Sequence, residues 1–353
     1  TLGDRISNTT LYYSNRKESI PIDGTETSYL MEIAVGTPPR RFLVILDTGS
    51  CEFWLPESNC DTWPCYLKKK YDPSLSSTYR GPFGNFVQSY LDSSIQGKIV
   101  QDDVQIGRLT INDLRFAAAA ELNGPSLVGR TFDGLMGLCP RRSRYNHDNF
   151  IETLYLDGLI SRPVFSIWLG PGLRDGGKLS VGRIAEEYAD SKIVWFSTGP
   201  RNKWSTRLDS FQVGNVEFVR RESAFILDSG TTMMIIPEAA AIALHEQIGA
   251  VPDRKERMMR VNCRHVQTFP SIKMNLEDRH DIILHPEQYI ISKQSGCFSA
   301  FEGRDIIRGG LQFWVMGGPF LRSHFTAYNL RDKEFGIAMP ITDKLKGPTC
   351  PIR

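Results

Sequence analysis

The stretch Arg41-Phe42-Leu43-Val44-Ile45-Leu46-Asp47-Thr48-Gly49-Ser50-Cys51-Glu52-Phe53-Trp54-Leu55-Pro56 decides how the chain is read. A run of β-favouring apolar residues, Phe42 to Leu46, leads directly into an aspartate. A strand that delivers a carboxylate into apolar surroundings must also supply hydrogen bonds, because an unpaired buried charge is costly. Thr48 and Ser50 offer hydroxyls, and Gly49 allows another group to approach the backbone closely. On its own, Asp-Thr-Gly after a strand is an ordinary turn.

A second copy changes that reading. Ala224 to Thr232 reads Ala-Phe-Ile-Leu-Asp-Ser-Gly-Thr-Thr, again an apolar run, an aspartate (Asp228), a hydroxyl, a glycine and further hydroxyls. Each copy is followed by an apolar-apolar-glycine segment, Leu135-Met136-Gly137 and Val315-Met316-Gly317. Asp47 and Gly137 are 90 residues apart, and Asp228 and Gly317 are 89 apart. Two motifs repeated at nearly one spacing indicate an internal duplication. If the halves pack about a pseudo-two-fold axis, Asp47 and Asp228 meet there. Two adjacent carboxyls cannot both ionise easily, so they share a proton and one can act as base while the other acts as acid.

With both copies quoted, the chain resembles the pepsin-like, bilobal aspartic proteases from about Tyr29 onward. Tyr29 to Arg40 is similar to that family's opening strand and Gly-Thr-Pro turn, and Trp54 falls at its tryptophan seven residues after the first aspartate. Tyr71 to Tyr79 resembles its aromatic-x-Pro-x-x-Ser-Ser-Thr-aromatic segment. Phe132 to Leu138, Phe-Asp-Gly-Leu-Met-Gly-Leu, is close to its N-lobe string, and Trp314 to Ala338 keeps the spacing of its last strands. The resemblance implies an all-β fold with a few short helices. It also implies two pseudo-symmetric lobes, 1–184 and 185–353, around a central cleft.

The same resemblance implies the site. Asp47 and Asp228 are its catalytic pair, supported by Thr48, Gly49 and Ser50 and by Ser229, Gly230 and Thr231. Ser50 and Thr231 are expected to hold the outer carboxylate oxygens, and the two glycines to leave room for substrate backbone. Tyr90 is the flap tyrosine, placed to bond Trp54, with Asp92, Ser93 and Thr232 also facing the substrate. Ile45, Phe132 and Leu135 line an apolar pocket, so large apolar residues are expected at the scissile bond. The family usually reads Tyr-Gly-Thr-Gly-Ser at the flap, where this chain has Tyr90-Leu91-Asp92-Ser93-Ser94. A tip without glycine requires Asp92 or Ser93 to carry positive φ. Gly318-Pro319 and Tyr328-Asn329 also depart from the family's Gly-Asp and Phe-Asp.

Composition agrees with a globular protein of two ordinary lobes: 353 residues and 41% hydrophobic. A net charge of +2 gives no electrostatic case for nucleic acid, and Arg141-Arg142-Ser143-Arg144 reads as a solvated loop. The longest apolar runs, such as Met233–Pro237 and Ala239–Leu244, are too short to span a bilayer. The histidines are scattered, and His245-Glu246-Gln247 has no second histidine at helical spacing, so neither metal nor cofactor is expected. The implied partners are a peptide or protein substrate, pepstatin-type inhibitors and the chain's own propeptide, with the protein a monomer. No signal peptide heads the sequence, so a processed or trimmed form of a zymogen is expected.

Seven cysteines suggest an oxidising compartment, secretory or vacuolar. By resemblance Cys60 pairs with Cys65 and Cys263 with Cys297, whereas a third family bridge is missing because Val216 to Phe225 holds no cysteine. Cys51 and Cys139 lie on segments that run side by side in this fold. They form either a further disulfide or two buried thiols, with Cys350 left over. Asn8-Thr9-Thr10 is a glycosylation sequon. Along the chain, Thr1–Ser28 reads as an edge strand or loose arm and Asn85–Ile106 as a long hairpin. Helices are expected at Asp148–Leu159 and Pro237–Ile248. Two other functions remain consistent with the sequence: a fold kept for binding without proteolysis, and a carboxyl pair acting on a small molecule.

Overall fold

Arg40–Asp47 carries its apolar residues consecutively, the pattern of a strand covered on both faces. In the computed structural model it pairs antiparallel with Tyr29–Val35 on one side and parallel with Gly134–Gly137 on the other. Val44, Ile45, Leu46 and Asp47 are all buried. The structure describes residues 17–341 apart from 25–27, 91, 129–131, 146–148, 173–174, 200–202 and 220–221. Cys350 and the Asn8 sequon therefore lie outside the described residues.

The duplication is visible residue by residue. Leu46, just before the first aspartate, pairs with Met136, and Leu227, just before the second, pairs with Met316, both in parallel register. Seven residues after each aspartate, Trp54 pairs antiparallel with Leu135 and Ile235 with Val315. In each half the glycine that closes the motif is packed against the loop after the aspartate. A Cβ on Gly137 would lie 2.5 Å from the Cys51 carbonyl carbon, and one on Gly317 2.2 Å from the Met233 oxygen. Those contacts explain why apolar-apolar-glycine recurs.

Among the described residues the strands form three sheets, of thirteen, nine and four strands. The halves are not separate at the back. Phe325–Asn329 and Glu334–Ala338, from the end of the chain, join the largest sheet beside Val164–Leu169 of the first half. The apolar core follows this sheet and contains residues of both halves, such as Phe165, Trp204 and Tyr328, whose rings stack or meet edge to face. Strands dominate and helices are short, as the sequence implies.

Several boundaries shift, each for a local reason. Glu18–Gly24 is an interior strand rather than an edge or arm, because it pairs with Gly177–Val181 and then with Tyr29–Val35. The hairpin begins at Arg80 rather than Asn85, since Gly81 and Gly84 take positive φ and carry the strand through an irregular register. Helix α1 spans Phe150–Leu156, with the Asn149 side chain accepting from the Glu152 amide. It stops before the expected Leu159 because Gly158 adopts φ 70°. Helix α2 spans Glu238–Gln247, with Pro237 as its cap residue and Gly249 at φ 61° beyond its end.

Two family-like strings acquire structural reasons. Tyr71, Ser76 and Thr78 all donate their hydroxyls to buried Asp102, so Tyr71–Tyr79 is a clamp around one carboxylate. Asp133 accepts from the amides of Leu43 and Lys69 at 2.8 Å each, fastening Phe132–Leu138 to the first aspartate strand. Asn329 accepts from the amides of Arg331 and Asp332, which closes the last hairpin turn.

Among the described residues three disulfides are present: Cys51–Cys139, Cys60–Cys65 and Cys263–Cys297. Of the two readings for Cys51 and Cys139, the bridge is the one observed, tying the loop after Asp47 to the end of the Phe132–Leu138 string. It closes a separation of 88 residues, against 5 for Cys60–Cys65. A longer closed loop restricts the unfolded chain more. The Cys51→Ser/Cys139→Ser variant should therefore lose roughly 2–5 kcal/mol, and more than Cys60→Ser/Cys65→Ser, when urea unfolding is compared. Equal losses would contradict that ordering.

Candidate active site

The two aspartate strands end facing each other, and short hydrogen bonds lock the loops beyond them. Thr48 Oγ1 donates to the Leu227 carbonyl and accepts from the Ser229 amide, both at 3.0 Å. Ser229 Oγ donates to the Leu46 carbonyl at 2.6 Å and accepts from the Thr48 amide at 3.0 Å. These four bonds are buried and cross from one half to the other. They fix where Asp47 and Asp228 stand relative to each other.

Each carboxyl is then held by its own loop in the same way. Asp47 Oδ1 accepts from the Gly49 amide at 2.8 Å and Oδ2 from Ser50 Oγ at 2.5 Å. Asp228 Oδ1 accepts from the Gly230 amide at 2.9 Å and Oδ2 from Thr231 Oγ1 at 2.8 Å. The glycines do something more specific than leave room for substrate. A Cβ on Gly49 would lie 2.3 Å from Asp228 Cγ, and one on Gly230 would lie 2.6 Å from Asp47 Oδ1. Each glycine makes space for the opposite aspartate, so neither position can carry a side chain while the carboxyls stay together.

That mirrored pair, one from each half, is the arrangement a known family is built on. The eukaryotic aspartyl protease family model matches residues 28–340. The chain belongs to that family. Among its relatives, vacuolar protease A of Neurospora crassa is 32% identical, over 88% of this chain and 78% of the relative. Cathepsin D of Dictyostelium discoideum is 30% identical over 93% of this chain and 87% of its own length. Pepsin A of Rhinolophus ferrumequinum is 29% identical over 89% and 81%.

The aspartyl-protease cleft has a volume of about 490 Å³ and is lined on one side by Ile45, Trp54, Leu127, Phe132 and Leu135. Ile226, Ile235, Ile306, Phe313 and Val315 line the other. Tyr90, Asp92, Ser93 and Thr232 also face it, as do Gly49, Ser50, Gly230 and Thr231. Thr48 and Ser229 lie behind the carboxyls. Trp54 is wholly buried and donates from Nε1 to Tyr90 Oη at 3.2 Å, so it is core and flap support at once.

The hairpin expected to be the flap is Arg80–Ser89 and Ser94–Ile106, with Ser89 opposite Ser94 and the Tyr90 amide bonded to the Ser93 carbonyl. Neither Asp92 nor Ser93 is among the described residues of positive φ. The glycine is instead on the neighbouring strand's end: Gly124 has φ 122°, and a Cβ there would lie 2.3 Å from the Asp92 carbonyl oxygen. Arg80–Ser89 is also the outer strand of its sheet, and unpaired edge groups need partners. Tyr145 supplies them, its hydroxyl accepting from the Val87 amide and donating to the Val87 carbonyl at 2.7 Å each.

Three contributors were not legible as site residues. Tyr145 follows the basic run read as a solvated loop, and Arg144 stacks on its ring. Lys68 is buried, with Nζ donating to the Phe132 carbonyl at 2.7 Å and lying over the Phe132 ring, yet nothing in Lys68-Lys69-Lys70 distinguishes it. Lys203 donates to the Gly49 carbonyl and lines the cleft. By contrast, His245, weighed as a metal ligand, is buried in α2 against Ser299 Oγ at 3.0 Å, and burial lowers its pKa.

Burial, and then the neighbouring Asp228 carboxylate, push the Asp47 carboxyl up to about 7, against the pull of Ser50 and Lys203. In the unfolded chain the group titrates near 4, so its contribution to stability is full below about pH 4 and is lost as pH rises through about 7. The Asp47→Asn variant should melt above the wild type at about pH 8, and that advantage should shrink at about pH 4. A melting difference independent of pH would show that the Asp47 carboxyl is not raised. For the flap, Tyr145→Phe should speed exchange of the Val87 amide and raise KM severalfold, since one hydrogen bond contributes about 0.5–1.5 kcal/mol. Unchanged exchange would remove Tyr145 from the flap's support.

Proposed function

We propose that this family member is an active aspartic endopeptidase, with Asp47 and Asp228 as its catalytic pair. The observation that carries the reading is the mirrored holding of two carboxyls, each bonded by its own loop and abutting the other loop's glycine. A water between them attacks the peptide carbonyl carbon while one carboxylate takes its proton. The partner gives its proton to the carbonyl oxygen. The tetrahedral diol then collapses, the C–N bond breaks, and a proton passes to the leaving nitrogen. No group outside the pair has to carry a proton, and the raised Asp47 keeps one available.

Ser50 and Thr231 hold the carboxyls in orientation, and Tyr90 closes over the substrate with Trp54 behind it. Apolar walls on both sides favour large apolar residues flanking the cut bond, and Asp92 disfavours acidic residues beneath the flap tip. The two lobes meet near Ile184, between strands Gly177–Val181 and Val194–Ser197. Three disulfides among the described residues and relatives named as vacuolar protease and pepsin support a secreted or vacuolar-lumen protein; in this reading it is processed from a zymogen and works as a monomer. Among the described residues no helix is long and apolar enough to cross a membrane.

A quenched-fluorescence peptide with an apolar pair at its centre tests the reading. Cleavage should be blocked by pepstatin, and Asp228→Asn should lower kcat by about 10²–10⁴-fold. Lysine-containing peptides should outpace glutamate-containing ones where the side chain lies under the flap. Peptide binding without turnover by the wild type would favour a binding protein. Turnover of a small molecule that depends on Asp228, with no peptide cut, would favour the third reading.

A further inference from the structure

The charges around the cleft are unevenly distributed, and one cation among them forms no ion pair among the described residues. Outside the aspartate pair, the acidic lining residues are Asp92 and Glu302, and the basic ones are Lys203, Arg304 and Arg308. Arg304 is already paired with Glu302 at 2.5 Å. Lys203 is different. Its Nζ donates to the carbonyl oxygen of Gly49, on the loop that holds Asp47, and among the described residues it forms no ion pair. An ammonium has three donors, and among the described residues only one acceptor, the Gly49 carbonyl, is bonded to Lys203 Nζ.

Lys203 is half-buried. A peptide lying under the flap removes more of its water. The nearby Asp47 carboxyl, which Lys203 attracts when ionised, holds a proton below about pH 7 and is then a weak counter-charge for a desolvated cation. A carboxylate side chain on the peptide supplies a full counter-charge, whereas a lysine or arginine at the same place adds repulsion. The apolar walls meanwhile take the residues flanking the cut bond, which leaves Lys203 to read a neighbouring position.

We infer that Lys203 is a specificity-determining residue that selects peptides carrying aspartate or glutamate within two residues of the cut bond. The inference rests on the endopeptidase reading and adds a substrate class to it. It differs from the effect of Asp92, which acts at the flap tip: Lys203 acts from beside Gly49, and the two biases fall on different positions of the peptide.

The test is a set of peptides on one neutral apolar core, with Glu, Gln or Lys placed singly at each of the two positions on either side of the cut. At about pH 5.5 a peptide glutamate is ionised. At one position the wild type should prefer Glu over Gln by roughly fivefold to tenfold in kcat/KM. Lys203→Met should reduce that ratio to near one, Lys203→Arg should keep most of it, and Lys203→Glu should turn it toward Lys. A wild-type ratio near one at every position, or a ratio unchanged in Lys203→Met, overturns the inference. Binding of the same peptides to Asp228→Asn protein, with and without Lys203→Met, asks the question without turnover. A Glu preference in binding that needs Lys203, with no peptide cut by the wild type, would support Lys203 and overturn the endopeptidase reading. Equal binding of Glu and Gln peptides, with the core peptide cut normally, would do the reverse.

Discussion

Two carboxyls brought into contact repel each other unless a proton sits between them, and everything near the cleft floor serves that contact. The crossing bonds of Thr48 and Ser229 set the distance between the loops. Gly49 and Gly230 are required because each lies where the opposite carboxyl must be. A buried pair of this kind makes ionisation of Asp47 unfavourable, so the site keeps a proton at a pH where an exposed carboxyl would have lost it. The cost is borne by the surrounding sheets, whose parallel pairings Leu46–Met136 and Leu227–Met316 hold both strands rigid up to the aspartates.

Much of this was legible because duplication leaves a trace in spacing. The two Asp-hydroxyl-Gly strings and the two apolar-apolar-Gly strings name the strands, their pairing partners and the residues that meet. The expected hydroxyls, glycines and apolar liners of the cleft all lie where the motifs put them. The ends of elements were less legible, since Gly158 stops α1 and Gly81 and Gly84 carry the hairpin beyond its expected start. Glycine signals a break in the sequence, but not which side of it the element occupies.

What the sequence hid was anything decided by a neighbour in space. A flap tip without glycine demands a strained residue only when the tip is considered alone. In the fold, Gly124 on another strand provides the close approach, and neither Asp92 nor Ser93 is among the described residues of positive φ. Likewise Tyr145 satisfies the outer edge of the flap from a loop 58 residues away. Lys68 reaches the Phe132 carbonyl across a similar gap, 64 residues. A lone tyrosine or lysine has no spacing to betray such a role.

The duplication is kept where chemistry needs it and broken where a substrate must be told from others. Around the carboxyls the halves match bond for bond. One step outward they diverge: Trp54 and Ile235 occupy equivalent places, but only Trp54 carries an N–H that reaches a flap tyrosine. The charges diverge as well, with Asp92 on the flap and Lys203 beside Gly49. A symmetric cleft would bind a peptide equally well in either direction. Unequal walls and unequal charges remove that degeneracy, because a peptide reversed in the cleft would set its side chains against the wrong wall and the wrong charge.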